Sequence, residues 1–294
     1  MYKLGIDLGG TKIEGIVLDE NNRELFRKRI ATEQQYGYEH ILQNIKRMYD
    51  NLVDEINGKE HTLGIGTPGS ISIDSELLRN SNTIALNGKP LKADLEKKLG
   101  RLLELQNDAN CFALAEALSG AGKGYDLVFG VIMGTGCGGG IIYKGEILRG
   151  LQHIGGEWGH MSINPDGPQC YCGSRGCVET YISGGGLERL YEKEFQQKAE
   201  FVEIVKKFYA GDKLVIAFIE RFLDRYGRSM ANLINILDPD IVVLGGGVSN
   251  FEELYDKGTE YVGKYIFSDR FYTPIVKNKL GDSAGVIGAA LMGK

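Results

Sequence analysis

His160, Cys170, Cys172 and Cys177 fall in the spacing His-x9-Cys-x-Cys-x4-Cys. Three thiolates and one imidazole make a closed tetrahedral set, the usual donor pattern for structural Zn²⁺. Gly173 and Gly176 lie between the ligands, where the chain must curl tightly around a small ion. The plain alternative is three unpaired thiols in a loop beside a histidine. A chain of 294 residues with no export signal argues against a disulfide scaffold and favours metal. Cys111 and Cys137 stand apart, and Cys137 reads as a small residue tolerated in a turn.

A second group is acidic. Asp108, in Gln106-Asn107-Asp108-Ala109-Asn110, follows a strand-like run and opens a helical pattern. It is either an N-cap or a general base for an attacking hydroxyl, and Asn107 and Asp108 can share the two tasks. Glu157 and His160, in Gly156-Glu157-Trp158-Gly159-His160, and Glu179 after Cys177 suit a polyhydroxyl ligand, which needs paired donors and acceptors. A metal joining His160 to Cys177 is expected to fix both Glu157 and Glu179 in place.

Glycine carries a third signal. The chain holds 42 glycines in 294 residues, about twice the usual share, clustered after apolar runs. Gly9-Gly10-Thr11-Lys12, Gly134-Thr135-Gly136 and Gly245-Gly246-Gly247 each follow a strand pattern. Backbone N–H groups in such turns can approach an anion closely, and three in one chain point to one nucleotide. Asp7, at the end of the first strand, can hold a hydrated Mg²⁺, which takes few protein ligands. A plain hairpin with a buried aspartate is the competing account. The Gly and Lys spacing is not that of a Walker A loop, and no helix follows.

These residues need elements to carry them. Strands are predicted at Tyr2–Leu8, Ile13–Leu18, Glu24–Ile30, Leu63–Ile65, Leu102–Leu105, Leu127–Met133, Gly140–Tyr143 and Ile241–Leu244. Helices are predicted over 41–56, 93–99, 109–118, 213–237 and 284–292, with 144–180 irregular. A strand, glycine turn and second strand occur twice, near Leu4–Val17 and Val128–Tyr143, which reads as a weak repeat of two similar domains. The expected division is 1–120 plus the terminal helix about 284–294, then 121–283 with a zinc-binding insertion about 157–180. A net charge of −5 gives no nucleic-acid footprint. No apolar run reaches the ~20 residues of a membrane span and no signal peptide is evident, so a cytoplasmic protein is expected.

GIDLGGTK, GTGCGGG, GEWGH and CYCGSRGCVET together resemble the ROK family of bacterial sugar kinases, from Tyr2 to about Leu291. The resemblance implies an actin-like, hexokinase-like (ribonuclease H-like) α/β fold of two domains with a ligand cleft between them. It implies Asp108 as catalytic base and sugar contacts from Asn107, Asp108, Glu157, His160 and Glu179. It implies phosphate contacts from Gly9, Gly10, Thr11 and Lys12 and from Gly134, Thr135 and Gly136. Adenosine is placed near Gly245, Gly246 and Gly247, with ATP and Mg²⁺ as cofactors and a homodimer as the usual state. Many members carry an Asn-x-Pro segment after the Gly66–Gly69 turn; here it reads Asn80-Ser81-Asn82-Thr83-Ile84, and Asn82 is the expected sugar contact.

The expected reaction is transfer of the γ-phosphate of ATP to the 6-hydroxyl of a free hexose. Fructose or mannose ranks first, on Gly69–Ser72 and the Asn82 region; N-acetylglucosamine and glucose are the alternatives. The His160 nitrogen turned away from zinc is expected to face a sugar hydroxyl. Sugar-sensing repressors of the same family carry a helix-turn-helix before the first glycine turn, and too few residues precede Gly5 here for that reading. A non-catalytic, chaperone-like or filament-forming actin relative is opposed by the sugar and cysteine motifs.

Overall fold

The computed structural model describes residues 1–293, which divide into two compact units. The first unit takes residues 1–120 and 145–155 and the chain from Leu280 onward. β1 (Tyr2–Leu8) and β2 (Lys12–Leu18) form an antiparallel hairpin with Leu8 opposite Ile13. β3 (Glu24–Ala31) pairs with β2 and is mostly exposed, as the charged Arg27-Lys28-Arg29 run of an edge strand requires. α1 (Tyr38–Glu55) buries Ile41, Leu42, Ile45, Met48 and Leu52, one stripe at helical spacing. β4 (His61–Thr67) lies parallel to β1 and leads into a short ribbon of β5 (Ser70–Ile71) and β6 (Leu78–Arg79). α2 (Leu91–Leu99) stops at Gly100 in the left-handed region, and β7 (Glu104–Asn107) closes the sheet in the order β3-β2-β1-β4-β7. α3 (Asp108–Ser119) follows β7 without a loop.

The strand predicted at Leu102–Leu105 starts two residues later. Leu102 is exposed, Leu103 donates its N–H to Glu96 at 3.3 Å, and pairing with β4 begins only at Glu104. That shift runs β7 up to Asn107 and makes Asp108 the first residue of α3.

The second unit takes residues 121–144 and 156–279. β8 (Leu127–Met133) and β9 (Cys137–Tyr143) form a hairpin in which Met133 faces Cys137. The strand predicted from Gly140 therefore begins at Cys137. Glycine propensity argues against Gly138–Gly140 as strand, but the ladder is continuous because Trp158 packs where side chains would stand. After the two-residue β10 (Glu146–Ile147) come five helices: α4 (Glu179–Ile182), α5 (Gly184–Phe195), α6 (Phe201–Tyr209), α7 (Lys213–Leu237) and α8 (Lys257–Tyr265). A reciprocal capping box of Glu200 and Glu203 starts α6, and the Asp212 side chain caps α7. Phe201, Phe208, Phe222 and Phe251 form an aromatic cluster between these helices. β11 (Ile241–Gly245) lies parallel to β8, and β12 (Ile275–Lys277) parallel to β11.

The two sheets share a topology. In each, an antiparallel hairpin closed by a glycine turn is followed by a strand parallel to the hairpin's first strand, as β4 is to β1 and β11 is to β8. Residues 145–155 and 280–283, expected in the second domain, belong to the first unit. Gly145 rests on Leu118, Arg149 pairs with Glu104 at 3.3 Å, and Leu280 donates its N–H to Glu116 at 2.8 Å. No helix among the described residues is long and apolar enough to cross a membrane.

α9 (Ala284–Met292) completes the first unit by backbone contact. A Cβ on Gly5 of β1 would run into the Val286 carbonyl, one on Gly64 of β4 into that of Ala289, and one on Gly288 into that of Cys111 in α3. Gly288→Ala is therefore expected to lower unfolding stability by about 2–3 kcal/mol, since rigid backbone must move. Gly263→Ala, in α8 with nothing within 4 Å of the added methyl, should gain up to about 1 kcal/mol. Urea midpoints of both variants check the contrast.

Candidate active site

In the first unit the candidate residues gather at the ends of β1, β4 and β7. Gly9 donates to the Lys12 carbonyl at 2.9 Å, and Thr32 Oγ1 donates to the Gly9 carbonyl at 2.6 Å, so the Gly9–Lys12 turn is held from both sides. Neither Gly9 nor Gly10 has positive φ. A Cβ on Gly10 would come to 3.4 Å from Thr83 Oγ1, an ordinary contact, so packing does not demand glycine there. The Thr83 neighbour Asn82 is exposed, and its segment is pinned by Asn87, which accepts from Ser81 N and donates to Ser81 O, both at 2.9 Å.

Asn107, not Asp108, is the N-cap of α3: its Oδ1 accepts from Ala109 N at 2.8 Å while its Nδ2 donates to the Gly69 carbonyl at 3.1 Å. Asp108 is left as the first helical residue, with Oδ1 accepting from Ala109 N at 2.8 Å. Both side chains thus accept from the same N–H, with Asn107 in the cap position. Asp7 lies between Gly66 and Gly285, where an added Cβ would come to 3.3 Å from a carboxylate oxygen on either side. Burial, then the charges of Asp108 and Glu14, push its pKa up to about 7 against the opposing pull of Lys12 and Arg29.

In the second unit, Gly156-Glu157-Trp158-Gly159-His160 packs directly on β9. Gly156, at φ +94, lies over the Gly139 carbonyl, and Trp158 Nε1 donates to the Gly138 carbonyl at 3.3 Å. Glu179 begins α4 and is nearly buried, and its Oε2 accepts from Cys137 N at 3.0 Å. A Cβ on Gly136 would stand 2.7 Å from that oxygen. Partial desolvation and then Glu179 raise the Glu157 carboxyl above its ordinary range, with His160 pulling the other way.

The four metal-ligand candidates converge. One donor atom from each of His160, Cys170, Cys172 and Cys177 lies within 4.8 Å of the others. Cys170 Sγ is 3.6 Å from His160 Nδ1, and Cys172 Sγ is 3.7 Å from Cys177 Sγ. Zinc bonds of about 2.3 Å to sulfur and about 2.0 Å to nitrogen space tetrahedral donors by about 3.5–3.8 Å, so the set fits the ion. Gly173 at φ +95 and Gly176 at φ +65 supply the curl. The other nitrogen of His160 does not face open space for a sugar: its Nε2 meets the Tyr171 hydroxyl at 3.0 Å. Burial, then Glu179 and Glu157, raise the Tyr171 phenol well above its usual range, which places that hydroxyl in the field of both carboxylates.

A cavity of 240 Å³ opens beside the second glycine turn, lined by Gly134, Thr135, Gly184, Gly185, Glu188 and Gly247. Phe201, Val202 and Val248 give it apolar wall. Of the expected nucleotide residues, Gly134, Thr135 and Gly247 reach it. Gly136 is committed to Glu179, and Gly246, at φ +79, lies against the Met133 backbone. The sequence expectation omits Ser183-Gly184-Gly185-Gly186, a fourth glycine turn. Ser183 Oγ accepts from Gly186 N at 2.9 Å and so caps α5, the visible signal being a serine ahead of three glycines.

The model of the ROK family matches residues 3–294. An N-acetyl-D-glucosamine kinase of Vibrio cholerae is 39% identical over 298 residues, covering 98% of each chain. One of Yersinia pseudotuberculosis is 38% identical, covering 98% of this chain and 97% of its own. The ROK hexokinase of Thermus thermophilus superimposes with a TM-score of 0.90 at 33% identity, over 100% of this chain and 98% of that one. A ROK glucokinase of Streptomyces griseus, solved with glucose and AMPPNP, gives 0.82 at 29% identity, over 100% and 99%. The chain belongs to the ROK family. Its fold is the actin-like, hexokinase-like α/β fold of the family's sugar kinases, and its class is that of an ATP-dependent sugar kinase. The ranking of fructose or mannose first has no support in these relatives.

Asp7 provides a pH test. Its pKa is about 7 folded against 3.8 for the free group, so the folded state holds an extra proton between those values. Stability from this group is full below about pH 4 and is lost as pH rises to about 7. Asp7→Asn removes the buried charge. It is expected to raise the melting temperature by about 3–8 °C at pH 8 and hardly at all at pH 4. Thermal scans at both pH values check this; an equal shift at each would mean that titration is not the cause.

Proposed function

We propose that this chain is an N-acetylglucosamine kinase, transferring the γ-phosphoryl group of ATP to the 6-hydroxyl of the sugar. The observation that carries the sugar assignment is identity of 38–39% over nearly the whole chain to kinases of that name. Asp108 is assigned as general base: it is the first residue of α3, directly after the Asn107 cap at the end of β7, where a carboxylate is held in a fixed position. A carboxylate is ionised at neutral pH and takes the proton of the attacking hydroxyl as charge moves to the phosphate. Sugar contacts are assigned to Asn82, Asn107, Asp108, Glu157, His160 and Glu179.

Phosphate contacts are assigned to Gly9, Gly10, Thr11 and Lys12 and to Gly134 and Thr135, and adenosine to the cavity at Gly247. Asp7 fits a divalent cation, because neighbouring carboxylates crowd it and hold it partly protonated without one. Mg²⁺ there neutralises triphosphate charge. Zinc is structural: His160, Cys170, Cys172 and Cys177 hold it, and it fixes Glu157 and Glu179 through the chain on either side. A homodimer in the cytoplasm completes the reading, supported by the family resemblance, and its mass in solution tests the first part.

Turnover of a hexose panel with ATP tests the substrate. N-acetylglucosamine is expected to give the highest kcat/KM, and a preference for fructose or mannose would overturn the assignment. Asp108→Asn is expected to lose roughly 10²- to 10⁴-fold in kcat while sugar affinity holds. Retention of more than about a tenth of the wild-type rate removes Asp108 from the role. Elemental analysis of protein made without added metal is expected to find one zinc per chain. Cys177→Ser should lose it and raise KM for the sugar more than for ATP. Absence of zinc, with all three thiols open to a thiol reagent in the native state, rules the site out.

A further inference from the structure

Tyr171 lies between two metal-ligand positions, and its side chain is 71% exposed. Its hydroxyl nevertheless meets His160 Nε2 at 3.0 Å, with the two rings edge to face and their centroids 5.2 Å apart. The tautomer of His160 follows from its other nitrogen. Nδ1 faces Cys170 Sγ at 3.6 Å, within the ligand set. With a metal on Nδ1, the proton of the neutral imidazole is on Nε2. That N–H has one hydrogen to give, so a good bond to the Tyr171 oxygen and one to a ligand oxygen exclude each other.

The backbone here is held in place. Cys170 donates to the Ser174 carbonyl at 2.8 Å, Gly173 donates to the Cys170 carbonyl at 3.1 Å, and both flanking thiols point into the ligand set. Tyr171 can leave only by rotating about its own side-chain bonds, and its exposure leaves the solvent side open.

We propose that Tyr171 sets the affinity of this enzyme for its sugar: its hydroxyl occupies the His160 N–H that a sugar oxygen must take, and sugar binding displaces it. The proposal rests on the reading that His160 contacts the sugar. Tyr171 acts here on binding and has no part in phosphoryl transfer, so its signature is a split between KM and kcat.

Tyr171→Phe keeps the ring and removes the competing oxygen. With zinc-loaded protein and saturating ATP, KM for N-acetylglucosamine is expected to fall about two- to tenfold, the worth of one ordinary hydrogen bond. The kcat and the KM for ATP should not change. The ¹⁵N resonance of His160 Nε2 should differ between wild type and variant without sugar and coincide when N-acetylglucosamine saturates both. An unchanged KM, with Nε2 responding to sugar in both proteins, defeats the displacement and leaves the His160 contact standing. A raised KM makes Tyr171 a sugar ligand and overturns the proposal. If N-acetylglucosamine leaves Nε2 unmoved in both proteins, the assignment of His160 to the sugar fails as well.

Discussion

The hydrogen bond from Cys137 N to Glu179 Oε2, at 3.0 Å, joins two stretches that stand 42 residues apart in sequence. On one side lies the Gly134–Cys137 turn, which lines the cavity of the second unit. On the other is the segment that leaves the cysteine cluster at Cys177 and starts α4. One buried carboxylate therefore fixes the Gly134–Cys137 turn relative to the His160–Cys177 cluster. Gly136 follows from the same constraint, because a side chain there would take the carboxylate's place. Gly184, donating to the Gly134 carbonyl at 2.8 Å, then brings the start of α5 against the turn. The second unit's chemistry is thus arranged by polar contacts to backbone, which tolerate little movement.

Much of this was legible in the chain, and the reasons for success and failure differ by residue. The metal set could be read because four soft donors at short spacing have few other uses, and their atoms do converge. Hairpins around Gly9-Gly10 and Gly134–Gly136 were legible because glycine after an apolar run marks a sharp turn. The reason for each glycine was less visible. Gly136, Gly139 and Gly156 make room for Glu179, Trp158 and the β9 backbone, contacts that are distant in sequence. α4, α5 and α6 went unread because three glycines open α5 and the other two helices are short. Their stability comes from packing on α7 and from the Glu200–Glu203 capping box, which outweigh local propensity. Tyr171 was invisible as a partner of His160, since nothing in the motif says which way an exposed phenol turns. Sugar preference was least legible: Gly69–Ser72 and Asn82 pointed to fructose, and whole-length relatives point elsewhere.

The first unit places charge where folding alone would not. Asp7 and Glu14 are both withdrawn from water; Glu14 is matched by Arg29 at 2.8 Å and Ser283 at 3.0 Å, whereas burial and the charges of Asp108 and Glu14 outweigh the pull of Lys12 and Arg29 on Asp7. A carboxylate withdrawn from water beside like charges is a cost that a hydrophobic core would avoid. It is sustained by the rigid frame of β1, β4, α3 and α9, which leaves Asp7 no lower-energy direction in which to relax. The same frame holds Asp108 at the start of α3, one residue past the cap that keeps the helix end in order.

α9 carries a consequence for how the protein is made. The ribosome delivers β1 to α3 first, yet Gly5, Gly64, Ile16 and Leu18 present a trough that is filled by Val286, Ala289, Ala290 and their neighbours on α9. Until α9 leaves the exit tunnel, the first sheet stays bare on that face. The second unit, whose hydrophobic cluster lies wholly within 129–275, needs no such closure. Synthesis order and assembly order therefore differ: the first unit, although its sheet is made first, waits for α9, which is made after the whole of the second unit.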